Sequence, residues 1–313
     1  MMYELMQVVR NLDQIKSLNG CVATIGNFDG VHLGHQSLLS QTADYAKKLG
    51  VPSVAVTFEP QPAEYFRATQ APARLTRLRE KFMAIRQYAP VDYLLCLRFN
   101  PQLAELSAAD FIQKILIEKL ALRCLVTGDD FRFGCQRQGD ITWLLRASQE
   151  YGYEVQQNSS LAVAGQRISS TQIRHYLAQG DLASAKLMLG RNYWMMGQVV
   201  KGDQRGRQLG FPTANIFLKR RVSPLAGVYA VKVQGIGDSF IYGVANVGTR
   251  PTVDGTRSLL EVYLLDFNQD IYGYQLSVEF IAKLRDEQKF SSLEALKQQI
   301  SQDVVMAKQL LKV

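Results

Sequence analysis

Two histidines, His32 and His35, stand three residues apart in the stretch GNFDGVHLGH, and the chain contains only one more. The stretch follows an apolar run, CVATIG, and passes into helical apolar spacing at Leu33, Leu38, Leu39, Tyr45 and Leu49. A strand, a turn through Gly26, Asn27, Phe28, Asp29 and Gly34, and a helix N-terminus make an anion site, because free N–H groups and the helix dipole point at the ligand. Imidazoles at this spacing share one face of a first helical turn and reach a common phosphate. Residues 127–140, TGDDFRFGCQRQGD, set Phe131 and Phe133 beside Asp130 and an arginine. That composition suits a flat, hydrogen-bonding ring, and equally an ordinary long loop with a hydrophobic anchor; Asp130 reads as buried. Residues 167–177, RISSTQIRHYL, place Ser169, Ser170 and Thr171 at a helix start with Arg174 one turn on. Those groups would serve a phosphate or a simple helix cap.

The second half carries a separate set. In KGDQRGRQLGFPTAN, residues 201–215, Gly202, Gly206, Arg207, Leu209 and Gly210 precede Thr213 and Asn215. Glycines let backbone N–H groups approach phosphates closely, and Thr213 and Asn215 offer oxygen ligands to Mg²⁺. The stretch has no GKS or GKT and is not a Walker A loop. Glu261, flanked by apolar residues in LLEVYLLDF, is either an outward-facing strand residue or a partly buried general base. Residues 246–252, NVGTRPT, read as a tight loop lining the same site through Asn246, Arg250 and Thr252.

The elements that must position these groups follow from periodicity. Between about 20 and 160, the apolar runs CVATIG, PSVAVTFE, VDYLLCL, RCLVTG and YEVQQ alternate with helical spacing near 33–49, 74–88, 107–121 and 140–151. Strands with little polar alternation, separated by helices, predict a Rossmann-like parallel sheet covered on both faces, with ligands at the carboxyl ends of its strands. LMLGRNYWMMG reads as a connector. Alternating runs to about 285 then predict a barrel or sandwich. The chain closes with a capped amphipathic helix whose Leu293, Leu296, Ile300 and Val304 would cover it. The expected domains are residues 1–186 and 187–313.

Composition excludes several classes. The 313 residues are 47% hydrophobic and 20% charged, with net charge +8. The basic residues are dispersed, and the densest group, Arg74, Arg77, Arg79, Lys81 and Arg86, reads as the solvated face of a helix. This argues against a nucleic-acid partner. No run approaches the roughly 18–20 apolar residues of a membrane span, and no secretion signal precedes the first motif, so a cytoplasmic protein without a membrane partner is expected. Cys21, Cys96, Cys124 and Cys135 lack zinc-site spacing and read as free, buried thiols.

Taken in order, GNFDGVHLGH, GDDFRFG, ISSTQIR, LGFPTAN, NVGTRPT and LEVYLLDF resemble the bifunctional riboflavin kinase/FMN adenylyltransferases over nearly the whole chain. The first of these resembles the HxGH signature of nucleotidyltransferases. The resemblance implies an N-terminal adenylyltransferase domain and a C-terminal flavokinase β-barrel, with ATP, riboflavin and FMN as substrates. It implies that Glu261 takes the riboflavin hydroxyl proton, that Thr213 and Asn215 hold Mg²⁺, and that the Gly206–Gly210 backbone cradles phosphates. At the other site His32 and His35 would stabilise phosphate charge, Ser170, Thr171 and Arg174 would hold the triphosphate, and Asp130 and Phe131 would hold flavin. A monomer or weak oligomer is expected. Lys201 and Tyr263 stand where the family often has histidine, and Asn192 where it often has proline. The alternative is a single-activity HxGH nucleotidyltransferase with a non-catalytic barrel.

Overall fold

The computed structural model describes residues 6–10, 19–202, 206, 210–252 and 255–313. They divide into two compact units, residues 1–72 with 76–168, and residues 73–75 with 169–313.

In the first unit the elements run β1 (Gln7–Val9), β2 (Cys21–Ile25), α1 (Leu33–Leu49), β3 (Ser53–Glu59), α2 (Pro62–Phe66), α3 (Leu78–Tyr88) and β4 (Tyr93–Arg98). They continue with α4 (Pro101–Ala104), α5 (Ala108–Asp110), β5 (Leu122–Gly128), α6 (Ile141–Tyr151), β6 (Glu154–Asn158) and the short hairpin β7 (Ala162–Val163) and β8 (Gln166–Arg167). Among the described residues, six strands form a parallel sheet in the order β1-β4-β3-β2-β5-β6. Every residue of β2 is buried, as a strand covered on both faces requires. The order reverses at β2, which has β3 on one side and β5 on the other. Such a switch point opens a crevice at the carboxyl ends of the strands, where the turn after β2 and the loop after β5 begin. Helix α1 starts and stops as the sequence predicts, capped by His32 and ended by Gly50 in the left-handed region at φ 65°.

Three expectations change. The helix expected over 74–88 begins at Leu78, because residues 73–75 belong to the second unit and their carbonyls are taken there. Arg174 Nε donates to Ala73 O (2.6 Å), Tyr193 Oη to Leu75 O (2.8 Å), and Arg220 to Arg74 O. The solvated basic face also fails at its centre, since Lys81 is 0% and Glu80 1% exposed. The helix expected over 107–121 is capped by Ser107 and runs from α5 into a π-helical stretch, Phe111–Ile117, which buries Phe111, Ile112, Ile115 and Leu116.

The second unit has α7 (Ser170–Gln179), α8 (Leu182–Leu189), β9 (Trp194–Val200), β10 (Thr213–Phe217), β11 (Gly227–Gln234), β12 (Ile241–Thr252), β13 (Gly255–Leu264), β14 (Gln275–Arg285) and α9 (Leu293–Leu311). Its strands close into a barrel, β10-β13-β12-β11-β14-β9. One side-chain face of the barrel, with Ile216, Tyr229, Ala245, Val247, Leu260 and Val262, is fully buried. The alternate face carries Val228, Ala230 and Val244, on which Val304, Ala307 and Leu311 of α9 pack. The supposed connector, residues 187–197, takes in the end of helix α8 and the start of β9, and residues 246–252 are strand, not a tight loop. Leu293 is 65% exposed. As the first residue of its helix it overhangs the turn before the helix instead of the barrel. The contact moves nearly three turns on, where buried Asp303 receives a bidentate grip from Arg285 at 2.9–3.1 Å.

Candidate active sites

At the switch point, the turn after β2 is held by its neighbours before any ligand arrives. Gly26 N–H donates to Val56 O (3.0 Å). Asp29, 2% exposed, accepts from Thr76 N–H (2.9 Å) and Thr76 Oγ1 (3.2 Å), and Gly30 N–H donates to Thr76 Oγ1 (2.9 Å). Asp29 is therefore a brace for the turn. Phe28 and Val31, both fully buried, adopt positive φ of 45° and 43°. That is a strained conformation for bulky and β-branched residues and persists only where the surroundings over-determine it.

The two histidines are brought together. Their rings stack with centroids 3.6 Å apart and planes 14° from parallel, and Phe28 meets His35 edge-on. His32 Nδ1 accepts from His35 N–H (3.2 Å), which makes His32 the N-cap of α1. In the neutral ring this bond puts the hydrogen on Nε2. Gly34 gives the ring its room, because a Cβ there would lie 3.2 Å from His32 Cε1 and Nδ1.

The loop after β5 is built differently from the expectation. The Asp130 side chain is 75% exposed, not buried, and pairs with Arg167 at 2.9 Å; Arg167 also grips Asp129 at 3.0 Å. The Ser160 hydroxyl, helped by Arg167, holds the Asp129 carboxyl below the usual carboxylate range. Asp140 caps α6, and the Trp143 and Thr142 N–H groups, with Arg132, lower it likewise. Phe133 is buried against Phe111 and Phe131, so it anchors the loop, and half-buried Phe131 stacks on it at 5.6 Å. Ser169 caps α7 by accepting from Gln172 N–H (3.2 Å), with Ser170 half-buried, Thr171 exposed and Arg174 engaged at Ala73.

In the barrel, pairing puts Asn215 of β10 opposite Glu261 of β13, and Glu261 opposite Asn246 of β12. The three form one row across three strands, on the face where directly opposed side chains interact. Thr213 and Tyr263 are the next pair on that face. Glu261 and Asn246 are half-buried, and Asn215 is buried. Gly202, Thr213 and Asn215 line a cavity of about 290 Å³ together with residues 267–272, which follow β13. A Cβ on Gly202 would meet the Asn215 side chain at 2.5 Å, and one on Gly206 would run into the Phe211 carbonyl, with Thr213 Oγ1 3.3 Å away. The two glycines thus let the backbone lie directly on Asn215 and on Phe211. Arg207 and Leu209 fall outside the described residues, as does Arg205. Arg250 and Thr252 lie on strand β12.

Comparison with known proteins draws these sites together. The FAD synthetase family model matches residues 14–172 and the riboflavin kinase model residues 189–311. The bifunctional riboflavin kinase/FMN adenylyltransferase of Escherichia coli K12 is 47% identical over 98% of this chain and 97% of its own. This chain belongs to the bifunctional riboflavin kinase/FMN adenylyltransferase family. The Pseudomonas fluorescens member is 49% identical over 97% of this chain and 98% of its own. A Streptococcus pneumoniae crystal structure, described as a macrolide-efflux protein, shares 30% identity and a TM-score of 0.80 over 97% of this chain and 99% of that one. Among the described residues no helix is long and apolar enough to cross a membrane. The alternative of a single activity with an inert barrel is not favoured, because the kinase model matches the barrel and the family members carry both names.

Proposed function

We propose that this chain phosphorylates riboflavin with ATP to give FMN, then transfers the adenylyl group of a second ATP to FMN, giving FAD and pyrophosphate. The Asn215–Glu261–Asn246 row beside the glycine-backed cavity carries the reading of the barrel. Glu261 takes the proton of the riboflavin 5′-hydroxyl as its oxygen attacks the γ-phosphorus and ADP leaves. Gly202, Gly206 and Gly210, with Arg207 and Leu209, seat the phosphates; Asn246, Arg250 and Thr252 border the site. Thr213 and Asn215 offer hard oxygen donors, and the Asn215 amide donates weakly to Thr213 O (3.5 Å), which turns Oδ1 away from that carbonyl. This donor set fits Mg²⁺ shared with substrate phosphates. The metal would neutralise charge on the transferring group.

In the first unit, His32 and His35 meet the charge that develops as an FMN phosphate oxygen attacks the α-phosphorus of ATP and pyrophosphate leaves. Gly26, Asn27, Phe28, Asp29 and Gly34 shape the turn that receives the phosphates. Ser169, Ser170, Thr171 and Arg174, at the start of α7 in the second unit, are assigned to the triphosphate. Asp130 and Phe131 address the flavin, with Phe133 backing the ring of Phe131. The functional domains are taken as 1–186 and 187–313, acting in the cytoplasm as a monomer or weak oligomer, with no nucleic-acid partner. One assay tests the whole reading: riboflavin and Mg-ATP are supplied and FMN and FAD followed separately. Glu261→Gln should stop FMN formation and spare FAD formation from added FMN; His32→Asn should do the reverse. Loss of both activities in both folded variants would overturn the two-site assignment.

A further inference from the structure

Lys81 is 0% exposed, on helix α3 beside the sheet, in a position where amphipathic spacing predicts a solvated cation. Its Nζ donates to Thr57 Oγ1 at 2.9 Å. Thr57, also fully buried, donates in turn to the Asn27 carbonyl at 3.5 Å. Thr57 lies on β3 next to Val56, whose carbonyl holds Gly26 N–H. The buried amino group is therefore two hydrogen bonds from the first residues of the phosphate turn, while Thr76 fastens the turn's other end at Asp29 and Gly30. Burying a lysine is unfavourable by several kcal/mol, and a methionine of similar shape would fill the space without that penalty.

We propose that Lys81 is a positioning residue for adenylyl transfer: acting through Thr57, it fixes the Asn27 carbonyl at the start of the turn that receives the polyphosphate. The inference rests on the adenylyltransferase reading above. The test compares wild type, Lys81→Met, Thr57→Val and the double variant for FMN adenylylation, pyrophosphate binding by calorimetry, riboflavin phosphorylation and thermal unfolding. Lys81→Met is expected to lose at least tenfold in kcat/KM for ATP and in pyrophosphate affinity. The KM for FMN and the riboflavin kinase rate should stay within twofold. Thr57→Val should lose at least threefold in kcat/KM for ATP, and the double variant should be no worse than Lys81→Met, because both act along one chain of bonds. A double variant restored to wild-type kcat/KM would show that Lys81 only satisfies Thr57, and would overturn the proposal. Multiplying losses would overturn the route through Thr57. If Lys81→Met does not fold, Thr57→Val decides alone, and wild-type kcat/KM in that variant overturns the proposal. Wild type that makes no FAD would instead sink the functional reading.

Discussion

His32 does two jobs that a pair of substitutions separates. Its Nδ1 caps α1 through His35 N–H at 3.2 Å, and its ring stacks on His35 at 3.6 Å. Alanine removes both the cap and the ring. Asparagine removes the ring but places a side-chain oxygen where an N-cap acceptor belongs, and it ranks among the best capping residues. Both variants lose the packing of the buried ring, so their difference isolates the cap, about 1 kcal/mol. In a unit of this size that is about 2–4 °C in melting temperature, with His32→Asn the higher. Catalysis should follow the ring and ignore the cap. Losing one preorganised donor to developing phosphate charge reduces turnover by about 10²–10³-fold, equally in both variants. The assay is conversion of FMN and ATP to FAD at saturating substrate, with calorimetric melting in parallel. If turnover recovers in His32→Asn along with stability, the imidazole serves only as a helix cap and the catalytic assignment of the turn is wrong.

Glu261→Gln keeps the shape of the Asn215–Glu261–Asn246 row but removes the proton acceptor, so riboflavin phosphorylation should fall by about 10²–10⁴-fold, read as FMN formed per minute. Asp303→Ala takes the partner from Arg285 and leaves a half-buried guanidinium without its bidentate contact; the second unit should lose about 3 kcal/mol in urea unfolding, and a change under about 1 kcal/mol would refute the weight given to that pair. Burial pushes the Cys21 thiol up to about 12 and Cys124 up to about 11, with Glu154 adding to the latter. The thiolate is the reactive form, so iodoacetamide at pH 8 should spare both in the folded protein and label half-buried Cys135 first. Rapid modification of Cys21 in the native state would contradict the packing of β2.

The sequence made legible those residues whose type and local spacing carry chemistry. His32 and His35 share a helical turn, so their juxtaposition follows from spacing alone, and α1 begins and ends where its cap and glycine put it. Glu261 was legible as a carboxylate in an apolar run, but its row with Asn215 and Asn246 was not, because the register that sets Asn215 opposite Glu261 joins residues 46 apart in the chain. Reading 246–252 as a loop failed for a different reason: glycine and proline mark turns locally, yet the pairing of β12 with β13, across only 3 to 15 residues, overrides them. Thr76, Thr57 and Lys81 were hidden more completely. Each contacts the phosphate turn, or its neighbour, across 24 to 47 residues of chain. An amphipathic pattern also assigns any lysine to solvent by default.

The two proposed sites would receive ATP phosphates by opposite backbone strategies, and this decides where substitutions will be tolerated. In the barrel Gly202 lies against Asn215 and Gly206 against the Phe211 carbonyl because neither has a side chain, so the close contact depends on missing atoms. A methyl group at Gly202 would therefore displace the Asn215 amide whatever the loop's stability. The turn after β2 instead forces two large residues, Phe28 and Val31, to positive φ and buries both. Its geometry is held from outside, by Thr76 on Asp29 and Gly30 and by Gln36 Nε2 on Val31 O at 2.9 Å. Strain of this kind, of order 1–3 kcal/mol per residue, is released when its restraints are cut. Loosening the turn should thus cost activity there before it costs the fold, whereas crowding the barrel loop should block its site while leaving stability nearly unchanged.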